Sequence, residues 1–131
     1  MDRKKILIVD DEIDIIIYLD TLLKDNGYEV LKARSAGEAR EIMEQVRPDL
    51  VCLDIMMPKR SGIALYREFK TDDRFKDIPA IFITAFSLTR DFEGGELKRL
   101  IQDKRVPEPY AFIEKPIQVP KLLEAIERAM G

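Results

Sequence analysis

The sequence predicts an α/β domain with a doubly wound, five-stranded parallel sheet and helices on both faces. Two features of the 131-residue chain predict it: five short apolar runs of strand length alternate with longer amphipathic segments, and those runs are apolar almost throughout. Strands of that kind are typical of parallel sheets that are covered on both sides. Because crossovers between parallel strands are almost always right-handed, few topologies remain. At this length we expect residues 1-131 to form a single domain.

The first strand is predicted at residues 5–9, a β-branched run that ends at three consecutive acids. A helical segment follows from about Glu12 to Asn26. It ends at Gly27, a residue that suits a left-handed C-terminal cap. A weaker strand is expected at 28–32.

The second helix and the third strand follow. Ser35 and Glu38 form a capping box that opens the helix, and Pro48 ends it. Residues 49–54 are predicted to form the third strand, which is apolar between two aspartates. Cys52 lies inside this run, and we expect a buried, reduced thiol there rather than a reactive one.

The remaining elements are a helix at 61–71, a fourth strand at 80–83, a fifth strand at 110–113 and a last helix that starts near Pro120. A proline suits the first turn of a helix, because its missing N–H would have no partner there in any case. The pattern therefore supplies a regular amphipathic helix for each of the first three crossovers.

That crossover is long and irregular in sequence. Pro107 and Pro109 forbid a helix and predict an extended approach to the fifth strand. Upstream of them we expect an irregular, mobile stretch from about 86 to 94, followed by a short helix from about 95 to 104.

Composition excludes several classes of function. The net charge of -3 does not indicate a positively charged surface that would bind DNA, RNA or an anionic membrane. No apolar run approaches the ~18 residues that a membrane span needs, and the N-terminus does not resemble a signal peptide, so we expect a cytoplasmic protein. The chain has no histidine, which excludes a histidine-based triad, a histidine-ligated metal and a phosphohistidine formed on this chain.

Acidic and polar side chains stand at the carboxyl ends of the predicted strands. Asp10 and Asp11 follow the first strand, Asp54 ends the third, and Thr84 and Lys115 follow the fourth and fifth. In open parallel sheets, ligands bind at this edge, where the strand order reverses. In the order 2-1-3-4-5, strands one and three are neighbours, so the three aspartates would converge.

Such a cluster needs compensation, because two carboxylates ~5 Å apart at an effective dielectric of ~20 repel by ~3 kcal/mol. A hard divalent cation relieves the repulsion, and oxygen-only ligands favour Mg, with Mn or Ca as substitutes. Lys115 adds a positive charge for an anionic group, and Thr84 adds a hydroxyl donor. The alternative is that each aspartate only caps a helix or ends a strand, which does not account for all three at one edge.

Four motifs, in order along essentially the whole chain, resemble the receiver domains of two-component response regulators. They are Ile6 to Glu12, Asp49 to Pro58 followed by Gly62, Ile83-Thr84-Ala85, and Lys115-Pro116. The resemblance implies the flavodoxin-like strand order 2-1-3-4-5. It also implies a phosphorelay signalling switch whose output face changes on phosphorylation. Such a domain promotes only its own phosphorylation and dephosphorylation, so no other enzymatic activity is expected.

The resemblance implies a role for each pocket residue. Asp54 is the phosphoacceptor, the nucleophile that takes the phosphoryl group from a partner's phosphohistidine. Asp11 and Asp54 bind magnesium through their carboxylates, Asp10 acts through a water, and Met56 contributes its backbone carbonyl. Lys115 pairs first with Asp54 and then with the phosphoryl group.

The resemblance further implies two switch residues and a set of partners. Thr84 turns toward the phosphoryl oxygen, and Phe112 moves inward to fill the vacated space. The Lys115-Pro116 bond is implied to be cis. The partners are a sensor histidine kinase or histidine phosphotransfer protein and a downstream protein target. A homodimer is also compatible, whereas direct contact with nucleic acid or membrane is not expected.

The first helix carries more isoleucine than its core face needs. We predict a core stripe at Ile15, Leu19 and Leu22, spaced i, i+4 and i+7. The surplus residues are Ile13, Ile16 and Ile17. They are predicted to be exposed beside the acidic pocket and to form the docking surface for a helical, histidine-bearing partner.

Three other classes of protein share parts of this pattern. An aspartyl-nucleophile phosphatase generally carries a second acid two residues after the nucleophile, where this chain has Met56. A flavin-binding protein of the same fold needs a phosphate cradle after strand one, where Asp10, Asp11 and Glu12 would repel a phosphate. A pseudo-receiver, a non-phosphorylated interaction module, usually lacks some pocket residues, and it stays open as the alternative to an active receiver.

Overall fold

A computed structural model of the chain describes residues 3–85 and 105–131. Five parallel strands form one sheet in the order β2-β1-β3-β4-β5, which confirms the predicted fold class and strand order. The elements, in chain order, are β1 (Lys5–Val9), α1 (Ile13–Asp25), β2 (Glu29–Ala33), α2 (Ala36–Gln45), β3 (Leu50–Asp54), a 3-10 turn (Pro58–Arg60), α3 (Ser61–Lys70), β4 (Ala80–Ala85), β5 (Ala111–Lys115) and α4 (Val119–Met130). The irregular stretch and short helix predicted for 86–104 lie outside the described residues.

Helices cover both faces of the sheet, as the continuous apolar strands predicted. Successive side chains of a strand point to opposite faces, so β3 sends Val51 and Leu53 into the core under α2 and α3, and Cys52 into the core under α1 and α4. Every residue of β3 is buried, and Cys52 is a buried free thiol, as expected. The described residues contain no helix that is long and apolar enough to cross a membrane.

The rotational position of α1 differs from the prediction. Its buried residues are Ile16, Leu19 and Leu23, spaced i, i+3 and i+7. Leu19 of the predicted stripe is buried as expected, whereas Ile15 and Leu22 are only partly buried and pack at the margin of the same core. Ile16 is only 3% exposed and belongs to the core, so its predicted place in an exposed docking surface is wrong. Ile13 and Ile17 are 45% and 58% exposed, as predicted.

The predicted start and stop signals of the helices are confirmed. Gly27 has a φ of +90°, the left-handed conformation expected after α1. The Ser35 side chain accepts a hydrogen bond of 3.1 Å from the Glu38 amide. The Glu38 carboxylate accepts one of 3.0 Å from the Arg34 amide, one residue before the cap. Both bonds satisfy amides that would otherwise lack partners at the start of α2.

Strand β5 is positioned by contacts on both sides of its first residues. The Tyr110 amide donates to the Ala80 carbonyl at 2.8 Å, which aligns β5 with β4. Just upstream, the buried Tyr66 hydroxyl of α3 donates to the Pro107 carbonyl at 2.6 Å. Residues 106–109 are neither helix nor strand, as the two prolines predicted.

Both β4 and β5 extend two residues further toward the site than predicted. The ladder pairs Thr84 with Glu114 and Ala85 with Lys115, so the polar residues belong to the strands rather than following them. Hydrophobic patterning stops where the side chains become polar, but the backbone pairing continues.

Candidate functional site

Four carboxylates meet at the carboxyl edge of β1 and β3. Asp10, Asp11, Glu12 and Asp54 each offer an oxygen, and these oxygens all lie within 4.8 Å of one another. Asp10 and Asp54 are buried, with Asp54 only 3% exposed, whereas Asp11 and Glu12 are exposed. The parallel pairing of Val9 with Leu53 aligns the two strand ends and produces this convergence.

Two tight backbone turns orient the buried carboxylates. Asp10 Oδ1 accepts a hydrogen bond of 2.9 Å from the Glu12 amide, and Asp54 Oδ1 accepts one of 2.8 Å from the Met56 amide. In each residue the second oxygen is left to face Lys115. The Lys115 ammonium lies 3.2 Å from Asp10 Oδ2 and 3.7 Å from Asp54 Oδ2.

Lys115 also contacts a third acid, because its Nζ lies 3.1 Å from Glu12 Oε1. Burial alone would lower the pKa of Lys115, but Asp54, Glu12 and Asp10 outweigh burial and raise the pKa. The ammonium is therefore charged at neutral pH. Lys115 is followed by a cis peptide bond to Pro116, as the resemblance implied.

Burial raises the pKa of Asp54 to about 6, and the neighbouring Asp10 adds to this effect against the opposing hydrogen bond from the Met56 amide. Burial likewise raises the pKa of Asp10. Carboxylates that are crowded in this way are suited to bind a hard divalent cation. The cation offsets the unfavourable free energy of burying several negative charges close together. The cluster offers only oxygen ligands, since the chain has no histidine and its one cysteine lies inside β3, so the residues fit magnesium.

We predict that, in metal-free buffer, Asp54 makes the folded state less stable as the pH rises. Its folded pKa of about 6 lies above the unfolded value of ~3.9, so the folded protein binds the proton more tightly. This contribution to stability is complete below pH ~4 and is lost as the pH rises through about 6. The measurement is the thermal unfolding midpoint in EDTA from roughly pH 4 to 7, compared between the wild type and a variant that lacks the Asp54 carboxyl group.

The matched control is Asp54→Asn, in which this part of the pH dependence should be missing. Asp10 and other carboxyl groups titrate in both proteins, so only the difference between the two profiles reports Asp54. Superimposable profiles would contradict the prediction.

The two predicted switch residues lie on neighbouring strands. Thr84 is fully buried in β4, and its hydroxyl has no hydrogen-bond partner among the described residues. Phe112 on β5 is half-buried, and its ring contacts Phe82 edge to face with centroids 5.7 Å apart. Phe82 makes a second edge-to-face contact with Tyr66 at 4.8 Å. A buried hydroxyl without a partner is costly, which fits a group that acquires an acceptor when the site is occupied.

Gly62 holds the backbone of β3 close to the start of α3. A Cβ at this position would lie 2.4 Å from the Asp54 carbonyl oxygen and 2.9 Å from the Ile55 Cα. Only glycine permits this approach, because real Cβ atoms do not come so close to backbone. In the sequence Gly62 is recognisable only as part of a motif, because this close approach depends on the tertiary structure.

The structure brings together Asp10, Asp11, Asp54 and Lys115, as the sequence predicted. The site also includes Glu12, which the sequence shows as part of the acidic run but for which no role was predicted. The available signal was its position directly after the two aspartates. Met56 has a side chain that is half exposed, and its amide holds Asp54.

Comparisons with known proteins agree with this architecture. A sequence model described as the response regulator receiver domain matches residues 6–127. The polar-differentiation response regulator DivK of Brucella anthropi is 33% identical over 131 residues, which is all of this chain and 98% of that relative. The solved receiver domain of NtrX from Brucella abortus is 31% identical, with a TM-score of 0.76 over 95% of this chain and 97% of that one. The chemotaxis protein CheY4 of Vibrio cholerae, at 24% identity, supports the fold with a TM-score of 0.82 over 98% of this chain and 99% of that chain.

The chain therefore belongs to the receiver domain family of two-component response regulators. Receiver domains are signalling domains rather than ordinary enzymes, and they bind magnesium in an acidic pocket. Response regulators interact with sensor kinases and downstream targets. The structure of this chain shows an acidic cluster of Asp10, Asp11, Glu12 and Asp54.

Proposed function

We propose that this chain accepts a phosphoryl group on Asp54 from a phosphohistidine of a partner protein, in a magnesium-dependent reaction. The observation that carries the proposal is the environment of Asp54. Its carboxylate is buried at the strand end, with Oδ1 tied to the Met56 amide and Oδ2 directed toward Lys115. One oxygen is thus held by the backbone, and the other is available as a nucleophile.

The proposed transfer forms one bond and breaks one bond. Asp54 Oδ2 attacks phosphorus, the bond from phosphorus to the partner's imidazole nitrogen breaks, and the imidazole leaves with the electron pair. Lys115 balances the charge on the phosphoryl oxygens. Magnesium, when bound, neutralises the carboxylates and stabilises charge on the phosphoryl group. Asp11, Asp54 and the Met56 carbonyl would hold the metal directly and Asp10 through a water, and Mn or Ca can replace Mg.

The proposed consequence is a change at the output face. Thr84 has a buried hydroxyl in need of an acceptor, and a phosphoryl oxygen on Asp54 would supply one. Movement of Thr84 leaves space into which Phe112 can turn, and this turn would break the contact of its ring with Phe82. A downstream protein, or a second copy of the chain, would recognise the altered face.

The experiment that tests the proposal is intact mass measurement after incubation with acetyl phosphate and magnesium. The protein should gain one phosphoryl group, and EDTA should prevent the gain. The same protein without any gain, although folded and magnesium-bound, would instead be a pseudo-receiver that works only as an interaction module. We further propose that residues 1–131 act as one domain, in the cytoplasm, with no reaction beyond their own phosphorylation and dephosphorylation.

The exposed part of the first helix is the proposed contact for the histidine-bearing partner. It consists of Ile13 and Ile17, which lie one turn apart directly after the acidic cluster. We predict that Ile17→Glu slows transfer from the partner at least about tenfold, since the loss of a hot-spot residue at the centre of an interface costs ~2 kcal/mol or more. Transfer from acetyl phosphate should be unchanged.

The matched control is Tyr110→Glu, because Tyr110 is also half exposed but lies at the opposite end of the sheet. This variant should behave as the wild type with both phosphodonors. If Ile17→Glu slows both donors equally, its effect is on the fold or the pocket and not on docking.

A further inference from the structure

The ammonium of Lys115 is not centred on the predicted phosphoacceptor. Among the described residues, its shortest contacts are to Glu12 Oε1 at 3.1 Å and to Asp10 Oδ2 at 3.2 Å. The separation from Asp54 Oδ2 is 3.7 Å, which exceeds the length of a hydrogen bond. In this structure the lysine therefore makes its closest contacts with the acids of the β1 end, and its ion pair with Asp54 is longer than a hydrogen bond.

Glu12 is free to make this contact because it does not cap its own helix. It occupies the N-cap position of α1, but its side chain makes no capping bond. Its backbone amide is already held by Asp10 Oδ1. The side chain is 60% exposed and reaches across the mouth of the pocket to a lysine 103 residues away in the sequence.

We propose that Glu12 is a positioning residue that draws Lys115 toward the β1 end, and so weakens its pairing with Asp54, until a phosphoryl group arrives. This inference rests on the proposed function, because it concerns the lysine that pairs with the phosphoryl oxygens. Lys115 must give up its contact with Glu12 in order to reach the phosphoryl group. Asp10 cannot play the same part, since it is buried and fixed by the turn at the end of β1.

Loss of the Glu12 contact should therefore favour phosphorylation. An exposed ion pair of this kind shifts an equilibrium by about twofold to fivefold. The quantity to measure is the maximal rate constant of phosphorylation divided by the acetyl phosphate concentration that gives half of that rate. This ratio should rise by that factor in Glu12→Gln. The direction of this change distinguishes two roles for Glu12. If Glu12 assisted the reaction or bound the metal, its removal would lower the ratio instead of raising it.

Two further variants separate the contact from the charge. Glu12→Asp keeps the negative charge but shortens the side chain by one methylene, so it should break the 3.1 Å contact and raise the rate as Glu12→Gln does. Asp14→Asn removes a charge from the exposed first turn of α1. No ion pair joins Asp14 to Lys115 in the described part of the chain, so this variant should match the wild type.

The experiment combines these kinetics, at fixed ionic strength, with NMR of the Lys115 ammonium group in the metal-free protein. Glu12→Gln and Glu12→Asp should both shift the Lys115 resonance and quicken its proton exchange with water, and Asp14→Asn should do neither. An unshifted resonance, a wild-type rate in Glu12→Asp, or slower phosphorylation in both Glu12 variants would each overturn the proposal. If the wild type itself gains no phosphoryl group, the proposed function fails, and the NMR measurement still shows separately whether Glu12 holds Lys115.

Discussion

Asp54→Asn should abolish phosphorylation by acetyl phosphate while the fold stays intact. An amide oxygen is a far weaker nucleophile than a carboxylate, and asparagine has nearly the same shape, so it can still accept the hydrogen bond from the Met56 amide. Burial and the neighbouring Asp10 raise the pKa of Asp54, which means that its charge is unfavourable in the metal-free fold. The variant should therefore unfold at the same or a higher temperature than the wild type in EDTA at pH 7.

The matched control is Asp49→Asn, because Asp49 directly precedes the other end of the same strand. Asp49 accepts a hydrogen bond of 2.8 Å from the Lys5 amide and lies far from the acidic cluster. This variant should be labelled at the wild-type rate. Labelling of Asp54→Asn at the wild-type rate would show that another residue is the phosphoacceptor.

Gly62→Ala should destabilise the domain and impair phosphorylation together. The added methyl group would lie 2.4 Å from the Asp54 carbonyl oxygen, so α3 and the end of β3 must separate. Forcing extra volume into a close contact of this kind costs ~1–3 kcal/mol. Because the displaced backbone carries the phosphoacceptor, the labelling rate should also fall. Urea unfolding and labelling of the folded fraction measure the two effects separately.

Gly37→Ala provides the comparison, because Gly37 is also in the first turn of a helix. Its Cβ would meet only the Ser35 Oγ, at 3.8 Å. Alanine favours a helix over glycine by up to ~1 kcal/mol, so this variant should be as stable as the wild type or more so. Equal behaviour of the two variants would mean that the close approach at Gly62 does not constrain the site.

The position of the site was predictable because it follows from strand topology. Once β1 and β3 are taken as parallel neighbours, Asp10 and Asp54 must meet at their carboxyl ends, and the structure places them there. The left-handed Gly27 was predictable for a similar reason, since few other residues adopt that conformation at the end of a helix. In both cases the backbone arrangement restricts which residues can occupy the position, so the residue type predicts the structure.

The rotational position of α1 was harder to predict because its first half is almost uniformly apolar. With isoleucine at 13, 15, 16 and 17, two stripes fit the helical period nearly equally well. In the structure, Ile16 is the isoleucine of this segment that is fully packed in the core against the sheet. The contact between Glu12 and Lys115 could not be predicted at all, because it depends on side-chain reach between residues 103 positions apart. The role of Gly62 likewise depends on a tertiary distance.

The hydrogen bond from Tyr66 to the Pro107 carbonyl has a consequence for how this fold can evolve. The chain is held by α3 at Pro107 and joins the β4 ladder at Tyr110, so the alignment of β5 is decided locally, within a few residues of the strand. The number of residues that precede Pro107 has little influence on that alignment, because closing a longer loop costs only about 0.6 kcal/mol per doubling of its length. Insertions and deletions between β4 and Pro107 can therefore accumulate while Lys115 keeps its place beside the aspartates.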